Sequence, residues 1–388
     1  MLSTAEADRL LATLHQVGRV ETVPLAQAAG RCLAQNVLAD RDGPPYHRVA
    51  MDGYAVDASE NLGTWIVRGL QMAGKPPQER KGPATAFEVS TGAVLPGGCD
   101  AVVRYEDTKR TGDTVYLKPG ILLPLPGSHV HHQGTDYHKG DQLLASGLIL
   151  RSPHLHSLAS AGTDPVSVVS RPRWALAATG DELVEVRDQP LGWQIRRSNA
   201  AAILGEATAW GLRPDTETVL PDNGESLKEG LEQLLPGLEV LVLTGGVSAG
   251  RLDLVPEVLT QMGAQTLFHK IGQRPGKPLW CGQLGSTVLF GLPGNPVSSL
   301  FVFRRYVLPW LLACEGRPLA ETRVRVQGLK PPTGHQTVFL PWSREHGVLD
   351  WKGSGDFLAL ADSDGFIEVD AEPRSLSEPR VHQWGGYW

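Results

Sequence analysis

The stretch Leu238-Glu-Val-Leu-Val-Leu-Thr244, followed directly by Gly245-Gly-Val-Ser-Ala-Gly250, is the strongest indication of the fold class in this sequence. Its first part is an apolar run of strand length and β-branched content. Behind the glycines, a helical pattern begins near Asp253. A strand, a glycine turn and a helix together form an anion-holding unit of α/β proteins. Glycine lets the backbone approach the ligand, and the helix N-terminus adds partial positive charge.

The same unit recurs further along the chain. Ser286-Thr-Val-Leu-Phe290 predicts a second buried strand, and Gly291-Leu-Pro-Gly-Asn-Pro296 leads into an apolar helix that ends near Leu312. Between the two units lies a cationic turn, Arg274-Pro-Gly-Lys-Pro278. Two glycine-rich loops at strand ends, with a lysine between them, predict a phosphate or oxyanion site at the edge of a parallel sheet.

Outside these units the chain changes character several times. Residues 171–318 alternate strand and helix patterns, which predicts a central, doubly wound, mostly parallel sheet. Residues 47–140 carry short β-type runs interrupted by Gly and Pro, which predicts an inserted β-rich subdomain. Residues 319–388 read as a small C-terminal β-barrel-like domain. Residues 1–46 and 141–170 are expected to pack as one discontinuous helical domain, so the fold class is multi-domain α/β.

Composition narrows the classes of protein. The chain has 388 residues, too many for one ordinary core, and 41% hydrophobic with 20% charged residues is typical of a globular protein. A net charge of −6 without a basic block argues against a nucleic-acid partner. The 4 cysteines lack metal-site spacing and are typical of buried thiols. No apolar run suggests a membrane partner, so we expect a cytoplasmic protein.

Six short motifs occur in a fixed order along the chain. They are Ala50-Met-Asp-Gly-Tyr-Ala-Val56, Thr91-Gly-Ala-Val-Leu-Pro96, Thr179-Gly-Asp-Glu-Leu183, Thr244-Gly-Gly-Val-Ser248, Pro275-Gly-Lys-Pro278 and Gly291-Leu-Pro-Gly-Asn-Pro-Val-Ser298. With these motifs the chain resembles the MoeA family, the molybdopterin molybdenumtransferases related to the E domain of gephyrin, as a divergent member. The resemblance covers nearly the whole chain, including Gly353-Ser-Gly355 in the tail.

The resemblance implies a reaction and its partners. Molybdate is inserted into the dithiolene of adenylylated molybdopterin, AMP is released, and Mg²⁺ is required. The central domain would be MogA-like, and the chain would form a homodimer. A MogA-like adenylyltransferase would supply the adenylylated substrate, and a molybdoenzyme or its chaperone would accept the product.

The resemblance also implies site residues. Asp52, reaching in from the other subunit, Asp181, Asp253 and Lys277 would be catalytic, and Asp181, Asp253 and Glu182 would hold the cation, since hard cations take oxygen ligands. The residues expected to bind the pterin or oxyanion are Gly245, Gly246, Ser248, Lys270, Arg274, Pro293, Gly294, Asn295, Pro296, Ser354, Arg251 and Arg197.

Each of these roles has a structural alternative. Asp52 before glycine can form an Asx turn, an aspartate before a helix can be its N-cap, and Lys277 can be a solvated turn residue. The turn around Lys277 is not a Walker loop, because Pro278 stands where the metal-binding Ser or Thr would be. Thr91 resembles a family position where a structural role is equally expected. A histidine cluster around His131 and Asp136 matches no standard zinc spacing.

Two departures from the family pattern lie close to the chemistry. Arg197 and Arg251 stand where the family usually carries Asp, Asn or Glu, and attraction between unit charges at about 4 Å is of order 4 kcal/mol. The arginines would weaken a cation site, or could instead hold molybdate or phosphate by bidentate hydrogen bonds. Two hypotheses follow. The chain is an active transferase, or it is a non-catalytic or weakly active paralogue that binds molybdopterin or the finished cofactor as carrier or insertion partner.

Overall fold

The computed structural model describes residues 1–14, 18–247, 254–332, 334, 336–371 and 377–385. The chain forms two compact units. The larger contains Met1–Glu21, Gly30–Cys32 and Val168–Trp388, and the smaller contains Thr22–Ala29 and Leu33–Ser167. Among the described residues, the larger unit holds two six-stranded sheets and the smaller unit holds one. The expected multi-domain α/β class is confirmed, whereas the four-part division of the chain remains a prediction.

The central sheet of the larger unit is mostly parallel. In spatial order its strands are Thr216–Leu220, Trp174–Thr179, Val240–Thr244, Thr287–Leu292, Trp280–Leu284 and Gln265–His269. The first four run parallel to one another, and Trp280–Leu284 runs antiparallel to both of its neighbours. Along Val240–Thr244 every residue is buried, as expected for an interior strand of a sheet that is covered on both faces.

The two faces of this sheet build two separate cores. Trp174, Leu176 and Val242 belong to one hydrophobic cluster, while Ala175 and Leu241 belong to the other. This alternation follows from the two-residue period of a strand. The helices of the larger unit are Thr4–Thr13, Ser198–Ala209, Gly224–Leu234, Val255–Gln261, Pro296–Val302 and Leu308–Cys314, the last two joined by the π-helical segment Phe303–Val307. The predicted doubly wound sheet is therefore confirmed.

One helical stretch needs a correction to the sequence analysis. Pro296–Cys314 is long and apolar enough to cross a membrane by length and composition, alone among the described helices, although no run of this kind was expected. The stretch is 83% buried within the protein, and it supplies Phe303, Leu308 and Leu311 to the first core cluster. Its apolar character is explained by this role as a core helix.

The second sheet of the larger unit joins the tail to the α/β part. Its strands are Gln273–Arg274, Thr337–Ser343, Gly365–Val369, Arg380–Gln383 and Thr322–Arg323, with Gly347–Val348 paired to Thr337–Ser343. Gln273 pairs with Thr337, and Arg274 pairs with Val338, in a parallel arrangement. The cationic turn therefore starts from the edge strand of this sheet. Two short strands, Leu183–Val184 and Ile195–Arg196, form a separate parallel pair.

The smaller unit is organised around one sheet. In spatial order its strands are Ala101–Arg104, Gly53–Val56, Thr85–Val89, Thr64–Gln71, Thr114–Leu117 and Thr108–Thr111. Two short antiparallel pairs join Arg48–Val49 to Val130–His131 and Val37–Leu38 to Gln142–Leu144. The helix Ser152–Ser160 completes this unit, and the strands Val20–Val23 and Val166–Val169 lie where the two units divide the chain. Gly53–Val56 is wholly buried, so Asp52 stands directly before an interior strand.

Candidate active site

A cavity of about 1170 Å³ lies at the carboxyl ends of the parallel strands of the central sheet. The two glycine loops, the cationic turn and the tail segment around Ser354 line it together. The predicted residues that the structure brings together here are Glu182, Gly245, Gly246, Arg274, Lys277, Pro293, Gly294, Asn295 and Ser354. Ligands of doubly wound sheets bind in such crevices outside the carboxyl ends of the strands.

Close approach of the strand ends explains the first glycine of the loop. Gly245 has φ of 90°, and a Cβ there would lie 2.6 Å from the carbonyl oxygen of Thr179. Its N–H donates to the carbonyl oxygen of Leu292 at 3.1 Å. A side chain at this position would therefore force apart the strand ends that form the floor of the cavity.

Hydrogen bonds fasten the second glycine loop from two sides. The Asn295 side-chain amide donates to the Ser354 hydroxyl at 2.9 Å. The Asn199 side-chain amide donates to the Gly294 carbonyl at 2.7 Å. The side-chain oxygen of Asn199 is buried and has no hydrogen-bond partner in the part of the chain that the structure describes. Ser354 thus belongs to the site although it lies far along the chain, and Asn199 leaves one acceptor free beside the loop.

Cationic groups without acidic partners line the cavity. Arg274, Lys277 and Lys352 are exposed, and no described residue forms an ion pair with any of them. The turn that carries the first two is held by Gln273, which is 1% exposed and donates to the Gly276 carbonyl at 2.9 Å. Because none of the three forms an ion pair with a described residue, they remain available to an anionic ligand, and Glu182, Asp222 and Asp356 add carboxylates to the same lining.

The lining residues that the sequence analysis missed include Lys352 and Asp222. Lys352 directly precedes the Gly353-Ser-Gly355 motif, and a cation beside a glycine-rich segment is a signal that could have found it. Asp222 follows the edge strand Thr216–Leu220. Its backbone N–H donates to the Asp181 carboxylate at 3.2 Å, and no sequence motif marks that contact.

The carboxylates predicted to hold a cation lie near this contact. Glu182 lines the cavity, while Asp181 is exposed beside it and is not among the lining residues. Asp253, together with Ser248 and Arg251, lies outside the described residues. Within the described ranges, no group of three or more His, Cys, Asp or Glu side chains could hold a metal ion. The assignment of Asp181, Glu182 and Asp253 as metal ligands remains a prediction.

Arg197, the first of the two departures, has acidic partners of its own. Its terminal nitrogens lie 2.9 Å from the Glu185 carboxylate and 3.1 Å from the Glu217 carboxylate. It lines a separate pocket of about 100 Å³ together with Glu182, Asn199 and Pro296. Its charge is therefore compensated locally, and contact with an oxyanion would have to compete with two ion pairs. Lys270, also predicted to bind an anion, lines neither pocket.

Asp52 belongs to the smaller unit. Its Oδ1 accepts hydrogen bonds from the backbone N–H of Thr91 at 2.7 Å and from the Thr91 hydroxyl at 2.9 Å. These two bonds, the backbone one first, hold the pKa of Asp52 below its usual value. The residue is therefore ionised and exposed, with Oδ2 free of described partners. Thr91 orients this carboxylate.

The histidine cluster of the same unit is held by hydrogen bonds. His131 lies between Arg48, at 2.9 Å, and Asp136, at 3.0 Å. The Nδ1 atoms of His47 and His132 lie 3.3 Å apart. These contacts account for the ordered arrangement of the cluster without a metal ion.

Comparison with known proteins agrees with this arrangement. Residues 2–162 match the model of the MoeA N-terminal region (domain I and II), and residues 175–313 match the probable molybdopterin binding domain. The molybdopterin molybdenumtransferase of Synechocystis sp. is 34% identical over 92% of both chains. That of Haemophilus influenzae is 31% identical over 97% of this chain and 96% of its own.

A solved structure resembles the chain over its full length. The crystal structure of the molybdopterin biosynthesis MoeA protein from Pyrococcus horikosii matches with a TM-score of 0.81 and 30% identity, covering 100% of both chains. The solved structure and the relatives thus match nearly the whole chain, and the family models match residues 2–162 and 175–313. The chain belongs to the MoeA family of molybdopterin molybdenumtransferases, transferases of molybdenum cofactor biosynthesis.

Proposed function

We propose that this protein inserts molybdate into adenylylated molybdopterin and releases AMP, with Mg²⁺ as cofactor. The observation that carries this proposal is the cavity of about 1170 Å³ in which two glycine loops meet three cations that lack acidic partners. Ordinary small-ligand pockets measure about 300–1,000 Å³. The larger volume suits a substrate that combines a pterin, two phosphates and an adenosine.

The cations supply the charge that such a substrate requires. Lys277 and Arg274 approach from the turn, and Lys352 approaches from the tail. The hydroxyl of Ser354, fixed by Asn295, and the loop N–H groups add uncharged donors. Fixed donors of this kind stabilise charge that develops on an oxyanion or a leaving phosphate, because they need no reorganisation during the reaction.

The residues present fit a hard cation. Mg²⁺ usually keeps several waters and is bound by one or two carboxylates together with substrate phosphates. Glu182 and Asp181 would provide such carboxylates, Asp253 is proposed as a further ligand, and the buried side-chain oxygen of Asn199 has no hydrogen-bond partner among the described residues. When bound there, Mg²⁺ would neutralise phosphate charge.

A homodimer forms part of the proposal. Asp52 is ionised, exposed and oriented by Thr91, which are properties of a carboxylate that contacts substrate. In the dimer, Asp52 of the partner subunit would reach the cavity. A MogA-like adenylyltransferase would deliver the adenylylated pterin, and a molybdoenzyme or its chaperone would take the product. A cytoplasmic location remains a prediction.

The test is a single-turnover reaction of the purified protein with adenylylated molybdopterin, Mg²⁺ and molybdate, in which AMP release is followed. We expect AMP release that depends on both molybdate and Mg²⁺. Tight pterin binding without AMP release, with molybdate and with tungstate, would overturn the transferase proposal.

That second outcome would support the paralogue that carries cofactor without efficient catalysis. The observation favouring it is the pairing of Arg197 with Glu185 and Glu217, which places a cation in the pocket that Glu182 also lines. Arg251→Asp separates the two functions. An enzyme adapted to arginine would lose turnover, whereas a decayed one would gain Mg²⁺ affinity and AMP release.

A further inference from the structure

A second cavity of about 400 Å³ opens in the larger unit, away from the glycine loops. Its walls come from the π-helical segment Phe303–Val307, from the chain around Thr322, and from the last strand, Arg380–Gln383. None of its lining residues lines the first cavity. π-Helical turns inside α-helices occur often at functional sites.

Arg304 is the group that makes this cavity unusual. It is 5% exposed, and its Nε alone is hydrogen-bonded, to the Gln383 carbonyl at 2.7 Å, with the Glu206 carboxylate at 3.2 Å. Its two terminal nitrogens have no hydrogen-bond partner among the described residues. Burial lowers the pKa of Arg304 to about 10, as incomplete compensation of its charge would do.

A second arginine offers another free donor. Arg380 pairs with Glu321 at 3.1 Å through one terminal nitrogen and with Glu368 at 3.6 Å through the other, while its Nε is buried without a hydrogen-bond partner among the described residues. Arg305, the third arginine in the lining, has its donors taken by Asp8 and Glu368. The unused donors are therefore those of Arg304 and Arg380. Buried donors without partners cost free energy, and a bound anion would remove that cost.

The remaining walls are partly apolar. The Trp210 ring lies 5.0 Å from the guanidinium carbon of Arg304. Pro309, Leu319, Ala320, Val381 and Trp384 add apolar surface, while Glu321, Thr322, His382 and Gln383 add polar groups. A ligand here would meet guanidinium groups, apolar surface and a carboxylate, Glu321, that is already paired with Arg380.

We propose that this cavity is a second binding site, independent of the transferase reaction, for a small organic anion. Its carboxylate or phosphate would bind Arg304 and Arg380, and its aromatic or apolar body would lie against Trp210 and Trp384. The volume of about 400 Å³ lies within the range of small-molecule sites, about 300–1,000 Å³.

The first test locates a heavy-atom probe. Crystals of the full-length protein are soaked with 4-bromophenyl phosphate, and the bromine is placed by anomalous scattering. We expect bromine in the second cavity with the phosphate at Arg304. Bromine found only in the glycine-loop cavity would overturn the proposal.

The second test measures affinity. Calorimetric titration with 4-bromophenyl phosphate is made in a Lys277→Ala background, which removes a cation of the glycine-loop cavity. Arg380→Gln should weaken binding about tenfold or more, because charge-assisted hydrogen bonds are lost, whereas the exposed Arg323→Gln should not. Arg380 is partly exposed, so its variant avoids the folding risk of Arg304→Gln. Unchanged affinity in Arg380→Gln, or equal affinity for inorganic phosphate, would refute the proposal.

Discussion

The larger unit contains two groups of cationic side chains that differ in their partners. In the glycine-loop cavity, Lys277 and Lys352 are exposed and have no described acidic partner. Next to the second sheet, Arg305 of the π-helical segment is 6% exposed and lies between the carboxylates of Asp8, at 2.8 Å, and Glu368, at 2.7 Å. The cations of the cavity thus have no described acidic partner, whereas the charge of Arg305 is compensated by two carboxylates.

Because of this difference, the cations of the cavity should matter for ligand binding, whereas Arg305 should matter for the stability of the fold. A buried ion pair that loses one member leaves an uncompensated charge, which is strongly destabilising. An exposed cation without a partner contributes little to the folded state and remains available to a ligand. Variants in the two regions should therefore affect different measurements.

The largest expected effect is that of Arg305→Met. This substitution leaves Glu368, which is 3% exposed, without its main counter-charge. It should therefore lower the free energy of unfolding by about 3–5 kcal/mol. Denaturant titration checks this. Arg323→Met, which removes an arginine from an exposed pair with Glu321, is the matched control and should cost about 1 kcal/mol or less. Equal losses in the two variants would contradict the comparison.

Lys277→Ala should affect the reaction in the glycine-loop cavity and not the stability of the fold. We expect molybdate-dependent AMP release to slow about 10²–10³-fold, the usual cost of removing one fixed charge-stabilising donor. The free energy of unfolding should stay the same. Lys228→Ala, on the surface helix Gly224–Leu234, is the control and should react at the native rate. A Lys277→Ala protein that reacts normally would remove the lysine from the site.

Lowering the pH should reduce the stability that His382 and Glu368 contribute to the fold. Burial, opposed by the hydrogen bond that His382 donates to Glu368, lowers the pKa of His382 from 6.5 to about 4. Between these values the unfolded chain binds a proton that the folded chain does not, so stability is lost as the pH falls through that window. For Glu368, burial acts to raise the pKa, but Arg305 and His382 outweigh it and hold the pKa well below 4.5, which adds loss in the same direction at lower pH.

Unfolding measured from pH 7 to pH 4 should therefore show a decline of up to about 3 kcal/mol from the histidine. His382→Gln should flatten the slope between pH 6.5 and 4. An identical slope in this variant would assign the pH dependence to other groups.

The smallest expected effect concerns the bond from Asn295 to Ser354. A double-mutant cycle with Asn295→Ala and Ser354→Ala should give a coupling of about 0.5–1.5 kcal/mol in the affinity for adenylylated molybdopterin. Its absence would mean that the tail and the second glycine loop bind ligand independently.

Local sequence patterns predicted the features that depend on residues close together in the chain. Apolar runs identified the buried strands, and the glycines of Gly245-Gly246 identified a loop where φ and close backbone approach exclude other residues. The same reasoning could not find the partners of Arg197, because Glu185 and Glu217 reach it from other segments. Arg305 and Asp8 are separated by 297 positions, and Lys352 enters the cavity from the tail. Such contacts are set by tertiary packing, which single-sequence patterns do not encode.

The parallel pairing of Gln273–Arg274 with Thr337–Ser343 has a thermodynamic consequence. The segment that carries Lys277 begins as an edge strand of the tail's sheet, and the N–H of Thr337 donates to the Gly272 carbonyl at 2.9 Å. Any partial opening that detaches this edge must also release the cationic turn. Ligand affinity at the glycine loops is then linked to the local unfolding equilibrium of a sheet that lies largely outside the site. A ligand in the cavity should accordingly slow amide exchange in Thr337–Ser343.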